Sequence, residues 1–283
     1  MDGFGGSWQG GSWQGGSWQG GSWQGGSWQG GSWGGGWSGT PTFAMRADKP
    51  LADFAVPRHV AAAYPDFPGR YWDPDLWALT VLTEFLGPGL PGGDWQGRIV
   101  LAGPPGIAAT LIEIDRLLVL AVTERPEARG EIIQQSQNFQ VAWLQLLTID
   151  ASTHPNTFLL LKLVARVGEV VMMHFKRIHH RARPSQICPT LYPPVPIPGH
   201  ASYPAGHGLI ARLTSIALIQ FVPATLQAAL LELARIVGFN REIAGLHYES
   251  DTAAGVLVAD QVLPILNECP TYQLVRNLAA AEW

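Results

Sequence analysis

The chain has 283 residues, 47% of them hydrophobic and 14% charged, with a formal net charge of −4. That length suffices for one full core or two small ones, and the acidic balance excludes a general nucleic-acid binder, which needs a basic face for phosphates. Cys188 and Cys269 show no metal-binding or redox spacing, so two free thiols are expected in preference to a disulfide.

Residues 5–33 repeat Gly-Gly-Ser-Trp-Gln with a period of five, which fits neither the helical period of 3.6 nor the strand period of 2. Glycine-rich backbone also loses the most entropy on ordering, so residues 1–45 are expected to be a disordered tail. The evenly spaced Trp8, Trp13, Trp18, Trp23 and Trp28 allow the tail to self-associate or stack on a partner, although a tandem duplication without a role is the preferred reading. The tail holds no Lys or Arg and so offers nucleic acid nothing. The amino end lacks a charged n-region and an apolar h-region, so no secretory leader is expected and the chain is assigned to the cytoplasm.

Residues 46–106 are rich in proline, glycine and aromatics and are expected to wrap irregularly, with one helix near 75–86. From 107 onward the apolar periodicity is helical. Segments are expected at 107–122, from near Pro126 to about Ile149, and from Pro155 to about Arg181. Others follow from Gly206 to before Pro223, from Ala224 to about Gly245, from Ser250 to about Leu266, and briefly after Pro270. Residues 184–198 form a proline-rich loop. The long apolar segments contain charges such as Glu113, Asp115, Arg116, Arg212 and Asp260, so no transmembrane segment is expected. No alternating strand pattern appears, and residues 46–283 are expected to form one all-α domain.

Three blocks carry the chemistry. Lys176 and Arg183 are seven apart, within about 20° on a continuous helix, and Lys162, Arg166, Arg177 and Arg181 join them in a basic run opposed only by Glu169. The run is either a solvated face or an attractor of anions. Next, Pro204-Ala205-Gly206-His207 starts a helix whose N–H groups and dipole suit an oxyanion, with His207 beside it to move a proton. Last, Arg241, His247 and Asp251 straddle an elbow, because Gly245 breaks one helix and Ser250 caps the next. A carboxylate on one imidazole nitrogen leaves the other free as a nucleophile. Taken singly, each block has a plainer reading: surface cations, a capping histidine, a buried His–Asp pair.

Together and in this order, the blocks resemble the superfamily that joins type 2 phosphatidic acid phosphatases, bacterial class A acid phosphatases and vanadium-dependent haloperoxidases. Its pattern is Lys-x6-Arg-Pro, Pro-Ser-Gly-His and Ser-Arg-x5-His-x3-Asp, and the resemblance covers residues 107–267. It implies a helical bundle of the acid phosphatase and haloperoxidase type. It also implies that His247 attacks phosphorus, that Lys176, Arg183, Arg241 and the Gly206 N–H hold the oxygens, that His207 serves as acid and base, and that Asp251 orients His247. In the haloperoxidases the same pocket holds vanadate on the residue matching His247.

Two positions depart from the pattern. Ala205 removes a serine hydroxyl that would be worth about 1 kcal/mol, or 2–3 to a charged partner. Asn240 replaces the serine before Arg241. The preferred reading is a soluble phosphomonoesterase, with no cofactor and a small phosphorylated substrate. The alternative is a haloperoxidase using vanadate, halide and peroxide, favoured by His200, which resembles a cofactor-tuning histidine of some bromoperoxidases. Helical members of this superfamily often pair, so a homodimer is compatible with either.

Overall fold

A computed structural model describes residues 72–283. The expected tail at 1–45 and the first part, 46–71, of the expected wrapping stretch at 46–106 lie outside the described residues. One compact unit spans Trp77–Trp283. Its secondary structure is helical, with no strand among the described residues.

Helix α1 (Pro74–Leu86) matches the expected early helix. A short helix that the sequence did not suggest, α2 (Trp95–Arg98), is started by the Asp94 carboxylate accepting from Gln96 N at 3.2 Å. It buries Trp95 against Phe85, ring centroids 5.5 Å apart. Helix α3 (Ile107–Thr123) follows as expected.

The single helix expected from Pro126 to about Ile149 is instead two, α4 (Arg125–Asn138) and α5 (Val141–Leu147). The Asn138 side chain takes Gln140 N at 3.1 Å, an Asx turn that competes with the helical ladder. The break frees Phe139 to turn toward His207.

Helix α6 (Pro155–His179) is the longest. It stops before Arg181 because His180 turns left-handed, at φ 50°, and closes on the Lys176 carbonyl at 3.1 Å. Its other end is capped from far along the chain. The Glu282 carboxylate accepts from Asn156 N, Asn156 Nδ2 and Thr157 N, each at 2.8 Å, and from Thr157 Oγ1 at 2.7 Å. The proline-rich loop contains a one-turn helix, α7 (Pro184–Ile187), and a 3-10 turn at Pro189–Leu191.

Helix α8 (Gly206–Ile219) is the hub, packed between α6, α9 (Ala224–Ile243) and α10 (Glu249–Leu266), while α11 (Pro270–Ala280) lies on α6. Leu209, Leu213 and Leu218 of α8 meet Leu160, Val164 and Val171 of α6 and Val258 and Val262 of α10 in one buried core. The close approach of α10 to the start of α8 depends on Gly255, where a Cβ would stand 2.6 Å from the Ala205 carbonyl oxygen. Cys188 and Cys269 are free thiols. Among the described residues, no helix is long and apolar enough to cross a membrane.

Candidate functional site

The start of α8, the segment after α6 and the elbow between α9 and α10 meet at one end of the bundle. Lys176 sits on the last turn of α6. Arg183, which follows the left-handed turn at His180, is no longer on that helix. The shared helical face expected for the pair is therefore wrong in mechanism, since an intervening bend brings Arg183 back. Both side chains are 2% exposed.

Each cation is held by backbone oxygens. Lys176 Nζ donates to the carbonyls of Ala201 and Ser202, both at 2.8 Å. Arg183 donates from Nε to the His200 carbonyl and from Nη1 to the Leu246 carbonyl, both at 2.9 Å, and Nη2 lies 3.1 Å from His200 Nδ1. The same His200 Nδ1 also lies 3.2 Å from the Ala201 carbonyl. Burial, with the charges of Lys176 and Arg183 adding, lowers His200 to about 4. An ammonium has three N–H donors and a guanidinium five, so both cations keep donors for a guest.

Arg241 differs. It is 3% exposed, and its Nη1 is buried without a hydrogen-bond partner. Burial, then the charge of Arg183, lowers it to about 10, and no acid offsets them. A buried charge without a counter-charge costs several kcal/mol in order of magnitude. Burial and the Arg183 charge likewise lower Lys176 to about 7.

The elbow is built as the glycine suggests. Gly245 adopts φ +73° directly after α9, a conformation that costs glycine least. The next helix is not capped by Ser250, as expected. Tyr248 is its N-cap, and Asp251 in the first turn reaches back to Tyr248 N at 3.1 Å. Ser250 is turned to Glu113 of α3, which takes its N–H at 2.7 Å and its hydroxyl at 2.9 Å.

His247 stands in the elbow, 3% exposed. Its Nδ1 is 3.1 Å from Asp251 Oδ2, and its Nε2 faces Arg183 Nη1 at 3.4 Å. The carboxylate accepts and the guanidinium donates, so the proton lies on Nδ1 and the lone pair on Nε2. Burial first, then the charges of Arg183, Lys176 and Arg241, holds this imidazole well below the ordinary histidine range. These electrostatic neighbours bring all three cations around His247.

His207, the second residue of α8, is half-buried. Its Nε2 lies 3.4 Å from the Gln135 carbonyl, and its ring stacks obliquely on Phe139 with centroids 4.5 Å apart. Burial, then Arg241, His247 and Arg183, keeps it well below the usual value. Gly206 opens α8 without any side chain capping the first turn. A Cβ there would stand 2.3 Å from Met172 Sδ, so this glycine also serves packing. Ala205 is fully buried, with its N–H on the Asp251 carbonyl at 2.9 Å. Asn240 donates to Glu131 at 2.9 Å and to Gln135 at 3.1 Å, tying α9 to α4 beneath His207.

Sequence reasoning missed Arg181, Ser202 and Glu113 as parts of the site. Ser202 Oγ donates to Asp251 Oδ2 and lies 3.3 Å from His247 Nδ1. Arg181 bridges Asp251 Oδ1 at 2.7 Å and Glu113 Oε2 at 2.8 Å. The available signal was an acid inside an apolar helix, at Glu113, and a third arginine beside the Arg-Pro pair.

No protein-family model matches the chain. Among solved structures it is similar to the crystal structure of the first transmembrane PAP2 type phosphatidylglycerolphosphate phosphatase from Bacillus subtilis. The identity is 16% over 69% of this chain and 94% of that one, with a TM-score of 0.44.

Proposed function

We propose that the protein hydrolyses phosphomonoesters through a phospho-histidine at His247. The observation that carries this reading is the buried, unpartnered Nη1 of Arg241 beside two further buried cations, all around an imidazole whose Nε2 lone pair has only a long contact, 3.4 Å, with Arg183 Nη1. A phosphate dianion offers the missing acceptors and charge. The His247 Nε2 lone pair forms the N–P bond as the ester P–O bond breaks, and the leaving oxygen takes a proton from His207. Water then returns a proton to His207 as it attacks phosphorus, and the N–P bond breaks to release phosphate and restore the lone pair. Lys176, Arg183, Arg241 and the Gly206 N–H hold the equatorial oxygens where charge gathers, and Asp251 keeps the tautomer.

An aryl phosphate assay with an alkaline quench tests this, because phospho-histidine survives base. Turnover with label retained on the protein is expected, and both should vanish in His247→Gln. Turnover that survives that substitution refutes the nucleophile.

The contact of His200 with Arg183 favours a second reading, a vanadium-dependent haloperoxidase. The same donors suit vanadate, with His247 Nε2 as its protein ligand and Lys176, Arg183 and Arg241 on its oxygens. Bound vanadate would supply the Lewis acidity that activates peroxide toward halide. Bromination of a phenol dye only with added vanadate and peroxide separates the two readings.

A further inference from the structure

We infer that Arg181 is a positioning residue for this site: through Asp251 it fixes the proton of His247 on Nδ1, with Glu113 of α3 as its anchor. The inference rests on reading His247 as the nucleophile.

Asp251 is fully buried and both its oxygens are engaged. Three donors crowd Oδ2: the Ser202 hydroxyl, Tyr248 N and His247 Nδ1. Oδ1 has Arg181 Nη1 at 2.7 Å, its sole charged donor. A carboxylate held on one oxygen alone turns about its Cβ–Cγ bond. Held on both, it keeps Oδ2 in line with the imidazole.

Arg181 is itself over-determined, which suits a reference point. Its Nη2 donates to Glu113 Oε2 at 2.8 Å and Thr110 Oγ1 at 3.1 Å, and its Nη1 also reaches Ser250 Oγ at 2.7 Å. Its guanidinium carbon lies 3.8 Å from the Tyr248 ring centroid, a stacked cation contact with the residue next to His247. Glu113 in turn holds Ser250 by N–H and hydroxyl. Arg181 therefore ties α3 to the first turn of α10, where Asp251 sits. Among the described residues it is the one buried arginine in direct ion pairs with acids, and this separates its role from the oxyanion-facing Lys176, Arg183 and Arg241.

The test reads the tautomer directly. In 15N-histidine NMR, with His247→Gln assigning the signals, the parent protein should show His247 protonated on Nδ1. Arg181→Met should spread the proton over both nitrogens and lower kcat for an aryl phosphate about tenfold to hundredfold, as for other groups that orient an imidazole, with KM within about threefold. Arg181→Lys, which keeps one donor for Asp251, should recover most of the loss. Arg181→Met risks misfolding, because it strands a buried carboxylate. Glu113→Gln, which keeps the guanidinium, then decides, with an expected fall in kcat of about threefold to tenfold and the same direction of tautomer change. A folded Arg181→Met or Glu113→Gln protein that keeps the Nδ1 proton overturns the inference. Because that signal needs no turnover, a parent protein inactive on phosphate esters would sink the phosphatase reading and still leave the role of Arg181 decided.

Discussion

Binding of a permanent dianion should draw a proton into the protein, and Lys176 sets how much. Burial and the Arg183 charge lower its ammonium to about 7, so at pH 8 about one in eleven of these amines is charged in the free protein. Sulfate, which does not titrate near neutrality, supplies the missing counter-charge and raises the amine back toward its ordinary value. Binding at pH 8 should then take up about 0.9 proton through Lys176, against about 0.1 at pH 6. The same shift makes sulfate bind about tenfold more weakly at pH 8 than at pH 6, or about 1.4 kcal/mol. The sign for stability is the reverse. Between about pH 7 and the ordinary lysine value the unfolded chain holds a proton that the folded chain has released, so the free protein gains stability as pH rises, and sulfate should flatten that slope. Calorimetry in two buffers of different ionisation enthalpy measures the uptake. Lys176→Arg keeps the charge without the titration, so binding should persist and the uptake at pH 8 should fall to whatever His207 takes up. An uptake below about 0.2 proton in the parent, or an unchanged one in Lys176→Arg, refutes the reasoning.

Arg241→Met should leave the melting temperature of the anion-free protein unchanged or raise it by about 2–4 °C, because it replaces an uncompensated buried charge with apolar bulk. The stabilisation by sulfate should fall sharply, and a variant that loses several degrees without anion would mean that Arg241 is structural. Glu282→Gln should cost about 1–2 kcal/mol by weakening the charged cap on α6, read as a lower melting temperature with turnover unchanged. Burial opposes ionisation of Glu282, but bonds from Thr157 and Asn156 outweigh it and hold the carboxyl below its usual value. That stabilisation is present above the ordinary glutamate range and lost as pH falls through the lowered one, so parent and variant should converge in acid.

The sequence spoke most clearly where a residue type has one physical use. Gly245 announced a left-handed break, and the elbow at His247 follows it. The apolar periods at 107–122 and from Gly206 and Ala224 announced α3, α8 and α9. It was less clear where local chemistry overrides a period. Nothing apolar marks the Asx turn at Asn138 that divides α4 from α5, nor the left-handed His180 that ends α6 two residues early. Lys176 and Arg183 were paired on a helix that does not continue between them, and they meet because Arg183 is pulled in by the His200 and Leu246 carbonyls, acceptors no side-chain pattern reveals. Arg181 and Glu113 were visible as letters in a basic run and an apolar helix. Their meeting required α3 to lie beside α10, a tertiary fact.

The imbalance of charge also orders events on the proposed mechanism. Arg181 is neutralised by Asp251 and Glu113, which leaves Lys176, Arg183 and Arg241 without acids of their own. In the free site, burial and the charges of Arg241 and Arg183 strip His207 of its proton, so an acid for the leaving group is absent. The negative charge that the substrate brings opposes the same cations and favours the protonated imidazole. His207 is therefore armed by the anion it serves. An empty site holds a neutral imidazole at neutral pH, and the full complement of protons assembles only around bound phosphate.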